Sequence, residues 1–256
     1  MPLTSRTIDV NGRNVEVLEG GAGQPLVFLH GGSMIGGAGF LEPLTGRFGV
    51  FAPFLPGYGR TDLDPPVEGR DAVVEHLADV LDALGLDRVE LVGHSLGGWR
   101  AVWFAARHPE RVTRLVLGAP LGQQVPGHPI TNMLEITPAE RLDVLTYDED
   151  IKASWLPAGP DPAFAAAREL EQRSMARFGP GPFDPALSEA VAAVKAPTLL
   201  LWGEGDRLIP VAHARAWADA LPQARLVTYP GAGHLVFHER PGAVAEIIAD
   251  ADSEGA

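Results

Sequence analysis

The chain contains no cysteine. That removes disulfides, thiolate nucleophiles and zinc–thiolate sites from consideration, without naming a compartment. Basic residues are few: 20 Lys and Arg stand against 33 Asp and Glu, a formal net charge of −13. Such an excess argues against partners with a phosphate backbone or an anionic lipid surface, and it serves solubility. Long apolar runs are missing as well. The opening Met1-Pro2-Leu3-Thr4-Ser5-Arg6-Thr7 has no apolar stretch of signal-peptide or membrane-span length, so a cytoplasmic protein without membrane contact is expected. There is no H-E-x-x-H pattern and no carboxylate cluster at ligand spacing. Gly36-Gly37-Ala38-Gly39 is not followed by Lys-Ser/Thr. Neither a metal nor a phosphate-bearing cofactor is expected.

What is present suits one large domain: 256 residues, 46% of them hydrophobic. Thr7–Val10 and Val15–Leu18 read as strands around Asn11-Gly12, a hairpin turn pair. Apolar runs at 25–30, 50–52, 89–92, 112–117, 197–203 and 225–229 read as buried strands. Between them, Asp71–Leu84 places Val73, Val74, Leu77, Val80, Leu81 and Leu84 on one helical face, with Gly85 as its stop. Helical patterns also follow at about 98–107, 211–221 and 241–251. The alternation predicts an α/β fold: a mostly parallel sheet of about eight strands with helices on both faces. It breaks between 121 and 194, where Pro and Gly are frequent and helices are expected near 138–145 and 162–177. This stretch is read as a helical cap inserted into a core formed by 1–120 and 195–256.

The sharpest signal is Gly93-His94-Ser95-Leu96-Gly97. The pattern G-x-S-x-G, after a strand and before a helix, describes a nucleophile elbow, a serine on a tight, strained turn. Side chains at 93 or 97 would collide with that turn. A serine hydroxyl needs a base within hydrogen-bond reach, and the base needs an orienting anion. In elbow folds these follow in the order acid, then histidine. Gly203-Glu204-Gly205-Asp206-Arg207-Leu208-Ile209-Pro210 and Gly231-Ala232-Gly233-His234 each follow a strand, on the sheet edge that carries Ser95.

With His30-Gly31-Gly32-Ser33 and Pro56-Gly57-Tyr58-Gly59, these pieces span nearly the whole chain. The sequence resembles the α/β-hydrolase superfamily, in the branch of capped esterases and carbon–carbon bond hydrolases. The resemblance implies Ser95 as nucleophile, His234 as general base and then acid, and Asp206 as orienting anion. It implies Gly32 and Leu96 as backbone oxyanion donors, with Ser33 a further candidate. One departure stands out: an acidic residue common after the strand near Pro53 is here Phe54, an apolar side chain expected to tighten packing or line the pocket. A serine at the elbow also disfavours dehalogenase and epoxide hydrolase chemistry, which uses an aspartate there.

Competitors are present for each role. His238 lies four residues beyond His234, and Glu204 two before Asp206. Glu204 is expected to face solvent, His30 to order the oxyanion loop, and His94 to pack beside the elbow. His76, His108, His128 and His213 are read as solvent-facing. Ser33, Met34, Trp99 and Trp155 are the expected substrate contacts, with Ile35 near them. Met133, Leu134, Leu156, Phe164, Met175 and Phe178 supply apolar cap surface. Arg100, Arg173 and Arg177 are candidates for holding a substrate carboxylate. The expected activity is hydrolysis of a carboxylic ester or related acyl bond of a mainly apolar small molecule. The alternatives are carbon–carbon cleavage of meta-cleavage type, or noncatalytic binding on the same scaffold. A monomer or homodimer is expected.

Overall fold

The computed structural model describes residues 1–34, 37–63, 69–133 and 135–254. Its first two strands, β1 (Thr4–Asp9) and β2 (Asn14–Gly20), form the expected hairpin. Val10 and Arg13 exchange two backbone hydrogen bonds at 2.8 and 3.2 Å, with Asn11 and Gly12 between them at φ 54° and 78°. Left-handed backbone at both central positions matches the twist of the strands it joins. Six more strands follow: β3 (Gln24–Leu29), β4 (Phe48–Pro53), β5 (Val89–His94), β6 (Val112–Gly118), β7 (Thr198–Gly203) and β8 (Ala224–Tyr229). They pair in the order β1-β2-β4-β3-β5-β6-β7-β8. β2 is antiparallel to both β1 and β4, and every other pairing is parallel.

In chain order the helices are α1 (Arg70–Ala83), α2 (Leu96–Arg107), α3 (Pro138–Leu145), α4 (Glu149–Ser154), α5 (Pro162–Phe178), α6 (Leu187–Ala193), α7 (Ala212–Ala220), α8 (Val236–Glu239) and α9 (Pro241–Glu254). The central strands are mostly apolar because both faces are covered, and successive side chains divide between them. Val27, Leu29, Leu91, Leu115, Leu117, Leu200 and Trp202 join one cluster with Trp99, Trp103 and Phe104 of α2 and Trp217 of α7. Leu26, Phe28, Val92, Val116, Leu199 and Leu201 join another with Val236 and Phe237 of α8 and Val244 and Ile247 of α9. Phe54 lies with Leu55, Tyr58 and Phe178 in a smaller cluster, so it tightens packing.

Among the described residues, the segment between β6 and β7 contains helices and one isolated bridge, Gly122–Phe183. Local caps define its elements. Thr137 accepts from Glu140 N–H and Glu140 accepts from Thr137 N–H, a reciprocal box at the start of α3. Asp148 and Asp161 cap α4 and α5 by accepting from the backbone N–H groups that follow. The short α4 and α6 escape a reading based on periodicity because each covers fewer than two turns of apolar repeat.

Sequence pattern also hides two buried cations. Arg114 lies inside the apolar β6 run and donates to Glu90 at 2.5 Å, Asp250 at 2.7 Å and the Ile247 carbonyl at 2.9 Å. The network ties β5, β6 and α9 together at the sheet rim opposite Ser95. Arg100, on α2, is 2% exposed.

Candidate active site

Ser95 stands between the end of β5 and the start of α2 with φ 54° and ψ −117°. A non-glycine residue in this region is strained, and the surrounding contacts impose it. The Ser95 N–H donates to the Gly118 carbonyl at 2.8 Å, while its own carbonyl accepts from Leu121 N–H at 3.1 Å and Trp99 N–H at 3.2 Å. Glycine on either side is a steric requirement. A Cβ at Gly97 would stand 2.0 Å from the Leu29 carbonyl oxygen, and one at Gly93 would stand 2.5 Å from the Gly97 oxygen.

Asp206 and His234 arrive on the loops after β7 and β8. Asp206 is buried, and its Oδ1 accepts from Leu208 N–H at 2.9 Å and Ile209 N–H at 2.8 Å. Its other oxygen, Oδ2, is 2.8 Å from His234 Nδ1. A carboxylate at Nδ1 holds the proton there and leaves Nε2 as the acceptor. The His234 backbone is equally constrained. Its N–H donates to the Leu145 carbonyl at 2.9 Å, and its carbonyl accepts from His94 Nε2–H at 2.9 Å. Gly233 N–H donates to Glu239 at 2.8 Å. Leu145 ends α3, so the inserted segment is part of the histidine loop's support. Glu204 is exposed and accepts from Thr228, away from His234. His238 lines the far cavity wall, in ring contact with Phe40 at 4.5 Å and Trp155 at 5.5 Å.

Ser95, Leu96, Gly32, His234 and His94 all border one cavity of about 360 Å³. Its apolar wall includes Phe28, Met34, Met133, Trp155, Met175 and Leu208, and Ser33 also reaches it. Trp99 does not. Its indole N–H donates to Asp184 at 2.8 Å, beside Trp103, which donates to the same oxygen at 2.9 Å. That pair of bonds draws the Trp99 ring beneath the 179–185 stretch and out of the cavity. Leu156 is 52% exposed instead of facing the sheet. Ile35 and Leu134 lie outside the described residues.

The cations expected to meet a carboxylate are elsewhere too. Arg100 is buried behind the loop, Arg173 is exposed, and Arg177 borders a smaller depression with Arg70 and Asp184. The arginines on the cavity wall are Arg141 and Arg168, from α3 and α5. No aspartate or glutamate is among the described lining residues. Arg168 is ion-paired with Glu171, which is not itself a lining residue. No group of three or more His, Asp or Glu with metal-binding geometry occurs among the described residues, and none of their helices is long and apolar enough to cross a membrane.

Three histidines around the site are held neutral by burial. His30 is pushed down to about 3, mainly by desolvation and secondarily by the Arg100 charge. It takes one tautomer: Nε2 accepts from Leu55 N–H at 3.0 Å, and Nδ1–H donates to the Gly31 carbonyl at 2.8 Å. Burial lowers His94 well below its ordinary value and His238 to about 4. His213 differs from the expected exposed histidine. It is buried on α7, donates to the His128 carbonyl at 2.8 Å and is likewise depressed by burial.

These shifts fix the sign of acid sensitivity. Unfolded imidazoles bind protons below about pH 6.5, whereas the native ones do not until much lower pH, so unfolding takes up protons across that window. The urea midpoint therefore holds steady above about pH 7 and falls progressively from about 6.5 towards 4. A flat midpoint over that range contradicts the neutral buried histidines.

Comparison with known proteins agrees with this architecture. Residues 26–247 match the family model described as "Alpha/beta hydrolase family". The 2-hydroxymuconate semialdehyde hydrolase of Pseudomonas sp. (strain CF600) is 30% identical over 97% of this chain and 94% of its own. The 2-hydroxy-6-oxo-6-phenylhexa-2,4-dienoate hydrolase of Burkholderia cepacia is 26% identical over 96% of each chain. Among solved structures, a membrane phospholipase A described as a bacterial virulence factor superposes with a TM-score of 0.78 at 27% identity, covering 98% of this chain and 86% of that one. The chain belongs to the alpha/beta hydrolase family.

Proposed function

We propose that this protein is a serine hydrolase that cleaves a bond at a carbonyl carbon of a mainly apolar small molecule bearing a carboxylate. The bond placed first is the carbon–carbon bond of a vinylogous diketone acid. The observation that carries the reading is the His234–Asp206 hydrogen bond at 2.8 Å, with His234 on the wall of the same cavity as Ser95. Ser95 Oγ attacks the carbonyl carbon as His234 Nε2 accepts its proton. The resulting oxyanion is received by the backbone N–H groups of Gly32 and Leu96. A donor aimed at that charge is worth about 3 kcal/mol in the transition state. Leu96 opens α2, where the first N–H groups have no partner within the helix. His234 then protonates the departing carbon, and activates the water that releases the acyl group from Ser95. Segment 121–194 acts as the cap that encloses the substrate.

Two observations support carbon–carbon cleavage over the ester expected from sequence. Both curated relatives described above carry names of hydrolases for oxo-dienoate or semialdehyde substrates. The cavity wall also carries two cations that an anionic group can meet, Arg141 and the Glu171-paired Arg168. The second reading, a carboxylic ester, draws on the similarity to the phospholipase structure.

A substrate panel separates the readings: 2-hydroxy-6-oxohexa-2,4-dienoates with alkyl or aryl groups at C6, against p-nitrophenyl esters of rising acyl length. The expected result is a kcat/KM at least about 100-fold higher for a dienoate than for any ester, equivalent to roughly 2.7 kcal/mol in transition-state binding. The reverse order establishes the ester reading. No turnover of either class favours a binding protein.

A further inference from the structure

The loop that carries Gly32 has no regular secondary structure, and its peptides are held from two directions. From the core, His30 Nδ1–H donates to the Gly31 carbonyl at 2.8 Å and the Tyr58 hydroxyl approaches the Gly32 carbonyl at 3.4 Å. In a trans peptide the carbonyl and the following N–H point opposite ways. Tying down the Gly31 oxygen therefore sets the direction of the Gly32 N–H. The next peptide is held from the inserted segment. Glu171 Oε1, on α5, accepts from Met34 N–H at a long 3.4 Å, and the Ser33 hydroxyl bonds to the same carboxylate. The other Glu171 oxygen pairs with Arg168. One turn along the same face, Met175 Sδ lies 2.7 Å from where a Gly32 Cβ would stand.

Glu171 is 5% exposed, and burial raises its pKa despite the neighbouring arginine. A buried carboxylate is costly unless its partners satisfy it. Here those partners are the loop and a residue of the cavity wall. We infer that Glu171 is a positioning residue: by holding Ser33 and Met34 it locks the 31–34 loop in its oxyanion-binding form, so that the loop is competent only while α5 is seated on it. This rests on the reading of Gly32 as an oxyanion donor. It adds that the donor's aim depends on the inserted segment as well as on the core.

The test uses an uncharged fluorophosphonate, whose reaction with Ser95 needs the same oxyanion support but no carboxylate contact with Arg168. Saturation kinetics separate the limiting inactivation rate from the binding constant. Glu171→Ala is expected to lower the limiting rate about 10- to 100-fold with the binding constant changed less than about threefold. Glu171→Gln keeps an acceptor for Ser33 and Met34 and should recover to within about threefold of wild type. Ser33→Ala, which leaves α5 untouched, is expected to lower the rate by an intermediate factor of about 3 to 10. Hydrogen exchange of the 32–34 amides should accelerate in Glu171→Ala and stay near wild type in Glu171→Gln.

An unchanged rate in Glu171→Ala, a Gln variant no better than Ala, or unaltered 32–34 exchange each overturns the inference while wild type still labels. A wild type inert to the probe removes the oxyanion site itself, and this inference with it. Should Glu171→Ala fail to fold, Ser33→Ala decides the matter: a wild-type rate overturns the proposal.

Discussion

Replacing Ser95 with alanine is expected to lower kcat by on the order of 10⁴- to 10⁶-fold and to leave KM within a few-fold of wild type. The selectivity of this loss follows from the local structure. The strained backbone at φ 54° is set by hydrogen bonds to Gly118, Leu121 and Trp99, all made through main-chain atoms. Alanine keeps each of them, meets nearly the same strain as serine at this φ, and removes only the hydroxyl. The cavity, its two arginines and the Asp206–His234 pair persist, so substrate still binds. What is lost is the bond-making atom. A fall in kcat of less than about tenfold would mean that water attacks directly and that Ser95 is a spectator.

The second large effect concerns Asp206→Asn, for which kcat should fall about 10⁴-fold with little change in the fold. Oδ1 of Asp206 accepts two backbone N–H bonds, from Leu208 and Ile209, and an asparagine carbonyl oxygen satisfies both. That assignment turns the amide NH₂ towards His234 Nδ1, where Oδ2 now sits at 2.8 Å. A donor there forces His234 to accept at Nδ1 and carry its proton on Nε2, where it can no longer take one from Ser95. The geometry thus predicts a tautomer defect and not an unfolding defect. The Asn variant should keep a melting temperature within a few degrees of wild type while losing activity, and a loss of both together would contradict it.

The sheet, and the meeting of the Asp206–His234 pair with the Ser95 cavity, are legible in the sequence because their signals lie in short runs. A parallel strand covered on both faces is an unbroken apolar run, as at 26–29 and 199–202, and the elbow is a five-residue pattern, although the clash that requires Gly97 comes from Leu29 on β3. Signals set by tertiary contact were not readable. By sequence Trp99 is a pocket residue, but Asp184, 85 residues away, accepts from its indole N–H. Among the arginines of α5, Arg168 faces the cavity while Arg173 is exposed, a choice made by how the helix docks and not by its composition. The sequence gives no sign of the His128 carbonyl to which the His213 ring donates, so that residue reads as solvent-facing. The Leu145 carbonyl, which supports the His234 backbone, is a main-chain group and leaves no trace in residue type.

The most direct measurement of the central claim is the mapping of an uncharged fluorophosphonate adduct by peptide mass spectrometry. Seven serines are available: 5, 33, 95, 154, 174, 188 and 253. The account predicts a single adduct, on Ser95, formed by wild type and lost on heat unfolding before exposure to the probe. An adduct on another serine, or none on the folded protein, contradicts it.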